Sequence, residues 1–131
     1  MTPTIELRVV ELEWPTSLRL GESDVLRLAL VPSVDGYTAR AEFDEHPIAT
    51  DEIPLDRPPS YILRAVARLD GPGFEIAPGG DQARLVPVGE AVTWRWSLAP
   101  RAPGKQRLSV SLLLRWEPEP GSASSPRERK T

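Results

Sequence analysis

Apolar residues recur at every second position over most of this chain, and the period is cleanest near its end. Val92, Trp94, Trp96 and Leu98 alternate with polar or small residues, as do Leu108, Val110, Leu112, Leu114 and Trp116. A period of two is the spacing of a strand with one buried face. The pattern predicts a β-hairpin from Glu90 to Trp116 that turns through Pro100-Arg-Ala-Pro-Gly104. Proline sets φ in advance there, and glycine supplies a positive φ. Trp94 and Trp96 share a face with Val92 and Leu98, so their rings read as core before they read as a sugar-stacking platform.

Upstream the same period recurs in shorter runs. Thr4 to Leu12 reads as a strand with Ile5, Leu7 and Val9 on one face and Glu6, Arg8 and Val10 on the other. Trp14-Pro15 ends it, because proline cannot donate to a ladder and restricts the residue before it. Ser17 to Leu20 is a short extended piece, and Gly21 to Asp24 a turn by composition. Val25 to Val31 sets Leu26, Leu28 and Leu30 against Val25, Arg27 and Ala29. After a turn at Val34-Asp-Gly36, Tyr37, Ala39, Ala41 and Phe43 alternate with Thr38, Arg40 and Glu42, which predicts another strand. Asp44 to Ser60 is irregular, with four prolines and space for a short edge strand between Ile48 and Leu55. Ser60 to Asp70 is a long strand that buries Tyr61, Leu63, Ala65, Ala67 and Leu69. Its alternation and the Gly71-Pro-Gly73 stop outweigh the helix propensity of its Leu, Arg and Ala. Phe74 to Ala77 and Gln82 to Pro87 are shorter strands around a Pro78-Gly-Gly-Asp81 turn. Strands at this spacing predict an all-β sandwich or barrel.

Length and composition narrow this to one domain. The chain has 131 residues, and its 15 prolines interrupt it too often for long helices. After Glu117 no large apolar residue remains, so residues 1–117 read as the domain and 118–131 as a disordered tail or linker. A net charge of −3 argues against nucleic acid as partner. With no cysteine there are no disulfides and no thiolate metal ligands. The opening Met1-Thr-Pro-Thr-Ile-Glu-Leu lacks the basic and apolar regions of a signal peptide. No apolar run approaches the ~20 residues of a membrane span, so the expectation is a soluble chain with no direct membrane insertion. Such a chain also suits a module of a longer secreted or anchored protein.

Candidate chemistry is sparse. His46 is the lone histidine and sits between Glu45 and Pro47 in the irregular segment. A Ser-His-Asp triad would need it, and no Gly-x-Ser-x-Gly elbow is present, so it reads as a solvated loop histidine. Glu42, Asp44, Glu45, Asp51, Glu52 and Asp56 form the densest acidic cluster. Calcium at a sandwich end is the sharper reading of that cluster; a solvated acidic loop is the plainer one, since no EF-hand spacing is present. No cofactor is expected. Arg64, Arg68, Arg95, Arg107 and Arg115 alternate with the core positions and fall on outer faces. There they blunt sheet edges or form an interaction surface, where arginine is enriched. Trp14, beside a proline at a strand end, either caps the core or protrudes.

Val92-Thr-Trp-Arg-Trp-Ser-Leu-Ala-Pro followed by Pro103-Gly-Lys-Gln-Arg-Leu-Ser-Val-Ser-Leu resembles the closing hairpin of immunoglobulin-like sandwich modules. The shared pattern is aromatic-x-aromatic, a Pro-Gly turn, then Leu-x-Val-x-Leu. Bacterial multidomain and membrane-anchored proteins carry similar modules. The resemblance spans the last third of the chain and lacks the cysteine pair of antibody domains. It implies an immunoglobulin-like antiparallel β-sandwich of seven or eight strands in an extracytoplasmic or assembly context, with no catalytic residues to carry over. The expected function is a non-catalytic protein-interaction or scaffolding module of a larger bacterial protein. Its partner would be another protein or a neighbouring domain, met through a strand edge or end loops. Arg64, Arg95, Arg115, Trp14 and Tyr37 are the candidate interaction residues. A carbohydrate-binding module using Trp14 or Tyr37 is the alternative.

Overall fold

Alternation along the chain becomes two antiparallel sheets packed face to face. The computed structural model describes residues 4–43, 45–119 and 127–130. Its strands are β1 (Thr4–Glu13), β2 (Asp24–Pro32), β3 (Ile48–Arg57), β4 (Tyr61–Asp70), β5 (Phe74–Ala77), β6 (Gln82–Leu85), β7 (Val92–Pro100), β8 (Ser109–Pro118) and β9 (Arg127–Lys130). One sheet has the order β3-β1-β2-β7-β5, the other β6-β4-β8-β9. The protein is therefore all-β, with the layered form of a β-sandwich. In the first sheet Leu26, Leu28 and Leu30 stand opposite Trp96, Trp94 and Val92. In the second, Leu63, Ala65 and Ala67 stand opposite Trp116, Leu114 and Leu112. These side chains form one buried cluster between the sheets. Small alanines, Ala65 and Ala67, in one sheet share the core with the large Trp94 and Trp96 of the other.

The expected hairpin from Glu90 to Trp116 does not form. β7 pairs with β2 and β5, while β8 pairs with β4 and β9, so its two arms lie in opposite sheets. Alternation fixes which face of a strand is buried and leaves its partner open. The connection at residues 101–108 is also longer than the two to five residues of most hairpin loops, and it arches between the sheets. Tyr37 to Phe43 is likewise not a strand; it belongs to a long connection between β2 and β3. In β1 the inward face is Glu6, Arg8, Val10 and Leu12, because Val10 and Leu12 stand opposite the core residues Leu30 and Leu28. Ile5 and Leu7 point outward and are 59% and 47% exposed.

Two tryptophans tie the layers together. The Nε1–H of Trp94 donates to the Gln82 carbonyl at 3.0 Å, and that of Trp116 to the Asp56 carbonyl at 2.7 Å. Each bond runs from one sheet to an edge strand of the other. The segment expected as a tail after Glu117 falls largely on residues 120–126, outside the described residues. Within it, Arg127–Lys130 pairs with Leu113 to Trp116 of β8. The three edge strands β5, β6 and β9 have four residues each. The fourth edge, β3, carries Pro54 with Asp51, Glu52 and Asp56, a combination that discourages strand addition.

Candidate functional site

Two places concentrate polar chemistry or open surface. The first lies on the outer face of β1 and β2. Leu12 and Leu28 face the core, so their neighbours Glu11, Glu13 and Arg27 must face away from it. All three are nevertheless buried, because residues 33–47 fold over them. Arg27 donates from Nε to Glu13 Oε1 and from Nη1 to Glu11 Oε1, each at 3.0 Å. Its Nη2 reaches the Arg40 carbonyl at 3.3 Å. Glu13 also accepts the backbone N–H groups of Glu42 at 2.8 Å and Phe43 at 3.1 Å. The Tyr37 hydroxyl donates to Glu11, and Arg95 pairs with Glu42 at the rim.

His46 closes this layer. Its Nδ1 lies 3.0 Å from Glu13 Oε2 and its Nε2 lies 3.1 Å from Asp24 Oδ2. Its side chain is 6% exposed, with the Phe43 ring tilted against it. The solvated loop histidine expected from sequence is thus a buried, doubly engaged one. Carboxylates accept, so in the protonated ring both nitrogens donate, one to Glu13 and one to Asp24. Burial alone would lower the His46 pKa, but the hydrogen bonds and charges of Asp24 and Glu13 outweigh it and raise it above its ordinary value. Burial would raise Glu13, yet the Glu42 and Phe43 amides, Arg27 and His46 hold it below the carboxylate range. Burial and the bond to Glu11 push Tyr37 up to about 12.

A second ionic group sits on the inner face of the first sheet at one end. Arg8 is fully buried and donates Nε to Glu6 at 3.0 Å. It also reaches the carbonyls of Leu30, Pro87 and Glu90. Arg57 donates to Glu6 at 2.6 Å and to the Val86 carbonyl at 2.7 Å. Glu6 in turn accepts the Gly89 amide at 2.8 Å. These bonds clasp the β6–β7 connection to the first sheet.

The second candidate place is a cleft of about 810 Å³ at one end of the sandwich. One wall is residues 14–20, which follow β1; the other is the arch between β7 and β8. Trp14, Leu18, Leu20, Phe74, Pro103 and Leu108 make it largely apolar. Its charged lining residues are Arg19 and Lys105.

The sequence-derived candidates scatter over the molecule. Trp14 packs against the core and lines the cleft. Tyr37 and Arg95 belong to the covered polar layer. Arg64 and Arg115 face each other across β4 and β8 on the outside of the second sheet, where Arg64 pairs with Glu117 at 3.2 Å. Arg68 pairs with Asp70 at 2.9 Å, and Arg107 stands exposed on the arch. Among the described acids of the expected loop cluster, Asp51, Glu52 and Asp56 are spread along β3 and Glu42 is bound to Arg95. Among the described residues no cluster of histidine and carboxylates is arranged to hold a metal ion. Sequence reasoning missed Arg8, Glu11, Glu13 and Arg27. The available signal was charge alternating within β1 and a lone arginine on the back of the Leu26-Leu28-Leu30 strand. Comparison of the chain with protein-family models, with curated proteins and with solved structures finds no match in any of the three.

Proposed function

We propose that the chain is a non-catalytic interaction module of immunoglobulin-like type, engaging another protein or a neighbouring domain through the end cleft. The observation that carries this reading is the contrast between the two places. The acid–base groups are locked against one another under residues 33–47, whereas the open cleft is apolar, with two cations and no acid in its lining. In its protonated form His46 donates from both ring nitrogens to carboxylates, which leaves that form no lone pair to act as a base.

Strand order supports the immunoglobulin-like assignment. β1-β2-β7-β5 follows the A-B-E-D order and β4-β8-β9 the C-F-G order of such sandwiches, with β3 and β6 added at their edges. The aromatic strand and the Leu-x-Val-x-Leu strand are then E and F, which lie in opposite sheets. The resemblance of these strands to modules of bacterial multidomain proteins extends the proposal to a bacterial, extracytoplasmic setting.

The carbohydrate reading has less support. Trp94, Trp96 and Trp116 are buried, and the Tyr37 hydroxyl is taken by Glu11. The aromatic residues lining the cleft are Trp14 and Phe74, both packed against the core.

Display of peptide and domain libraries against the immobilised protein tests the proposal. Enriched binders are expected to cross-link to residues 14–20 and 100–108. A turnover that is abolished in His46→Ala but retained in Arg19→Ala would overturn it.

A further inference from the structure

Resting on the interaction-module reading, we propose that the end cleft is a docking groove for an extended acidic peptide segment that inserts an apolar side chain. Charge selects the segment. Arg19 and Lys105 line the cleft, and Arg101 and Arg107 stand on the same arch. Among the described residues none of these four makes an ion pair, whereas Arg8, Arg27, Arg57, Arg64, Arg68 and Arg95 all do. On a chain of net charge −3, a cleft lined by two cations and no acid is a locally positive surface. Potentials of opposite sign across an interface set partner choice and speed encounter.

Placement of the cations distinguishes a peptide from a small amphiphilic acid. Arg19 belongs to one wall and Lys105 to the opposite wall. A segment lying between the walls can present acidic side chains to both, while one carboxylate would satisfy a single cation. The apolar lining supplies the anchor site. A volume of about 810 Å³ falls in the size class of ligand clefts, roughly 300–1,000 Å³.

The arch wall is fixed in place. The Arg101 amide donates to the Gly73 carbonyl at 2.8 Å. A Cβ on Gly71 would stand 2.6 Å from Leu108 Cδ2, and one on Gly73 would stand 2.1 Å from Gln106 Oε1. The Gly71-Pro-Gly73 turn thus packs directly on the arch, which lowers the ordering cost of binding.

Fluorescence anisotropy against an array of labelled octapeptides tests the inference. Each peptide combines Asp and Glu with one or two of Leu, Phe, Trp and Pro; a matched array carries Lys at every acidic position. Acidic members are expected to bind, and the lysine array is not. The double variant Arg19→Glu, Lys105→Glu, shown by circular dichroism to keep its fold, is expected to weaken binding at least tenfold. Raising salt should weaken the parent several-fold. Equal binding of both arrays would overturn the inference. So would an acidic array with no member tighter than about 1 mM, binding indifferent to the double variant, or preferential binding of a neutral oligosaccharide at Trp14. If the acidic array fails while library binders still cross-link to another surface, this inference falls and the interaction module stands. A His46-dependent turnover would remove the module reading itself.

Discussion

Three indole groups in one core have two different fates, and the difference is measurable. Trp94 and Trp116 each make a hydrogen bond from Nε1, but Trp96 Nε1 is buried with no partner among the described residues. Replacement of either Trp94 or Trp96 by Phe removes similar apolar area. Trp94→Phe also strands the Gln82 carbonyl, whereas Trp96→Phe removes an unsatisfied donor. Trp94→Phe is therefore expected to destabilise by about 1 kcal/mol or more beyond Trp96→Phe in urea unfolding. Glu13 is bonded by four different residues, through the side chains of Arg27 and His46 and the backbone amides of Glu42 and Phe43. Glu13→Ala leaves Arg27 and His46 short of a counter-charge in a buried layer. The expected loss is about 3–5 kcal/mol in the same measurement. Sequence could not single out Glu13, since an acid alternating with Leu12 looks like any solvated outer-face residue. Its burial depends on a cover supplied from residues 33–47.

That cover is the element whose behaviour should follow pH. The His46 pKa is raised in the folded state from an ordinary value of 6.5. Its contribution is fully present below that value and is lost as pH rises through the folded pKa. Glu13 is shifted down from 4.5, so its contribution is present above 4.5 and is lost as pH falls through the lowered value. Residues 33–47 should therefore be held most firmly in mildly acidic solution. Their amide exchange, corrected for intrinsic rate, is expected to lose protection as pH rises above 6.5. His46→Gln should flatten that dependence on the alkaline side. Unchanged protection from pH 5.5 to 8.5 in the parent would contradict this role of His46. At this scale the long strands were legible. The inward faces of β2, β4, β7 and β8 follow directly from period-two alternation. β1 misled because its inner face carries Glu6 and Arg8 at the sheet end, where they bond Pro87, Gly89 and Glu90. The Tyr37 to Phe43 run misled because Tyr37 and Phe43 are held by Glu11 and Glu13, with no ladder partner.

For the whole molecule, alternation specifies layers but not which strands are neighbours. The two arms around residues 101–108 carry equally apolar faces whether they pair in one sheet or face each other across two. The second arrangement makes the connection an arch and opens the cleft beneath it. That is why the cleft was invisible in the sequence although Trp14, Phe74 and Leu108 were each noticed. The Gly71-Pro-Gly73 turn ties the two features together. Gly71→Ala is expected to displace Leu108 and the arch, weakening partner binding several-fold while leaving the protection of residues 33–47 unchanged. Loss of both together would show that the cleft and the polar layer are coupled, through the Trp14 amide that donates to the Pro47 carbonyl at 3.3 Å.

The most direct measurement of the central claim is a ¹⁵N–¹H chemical-shift map of the protein titrated with its tightest-binding partner segment. Shifts confined to residues 14–20, 71–74 and 100–108 are the expected result. Shifts centred on β3 or on residues 33–47, with the cleft silent, would contradict it.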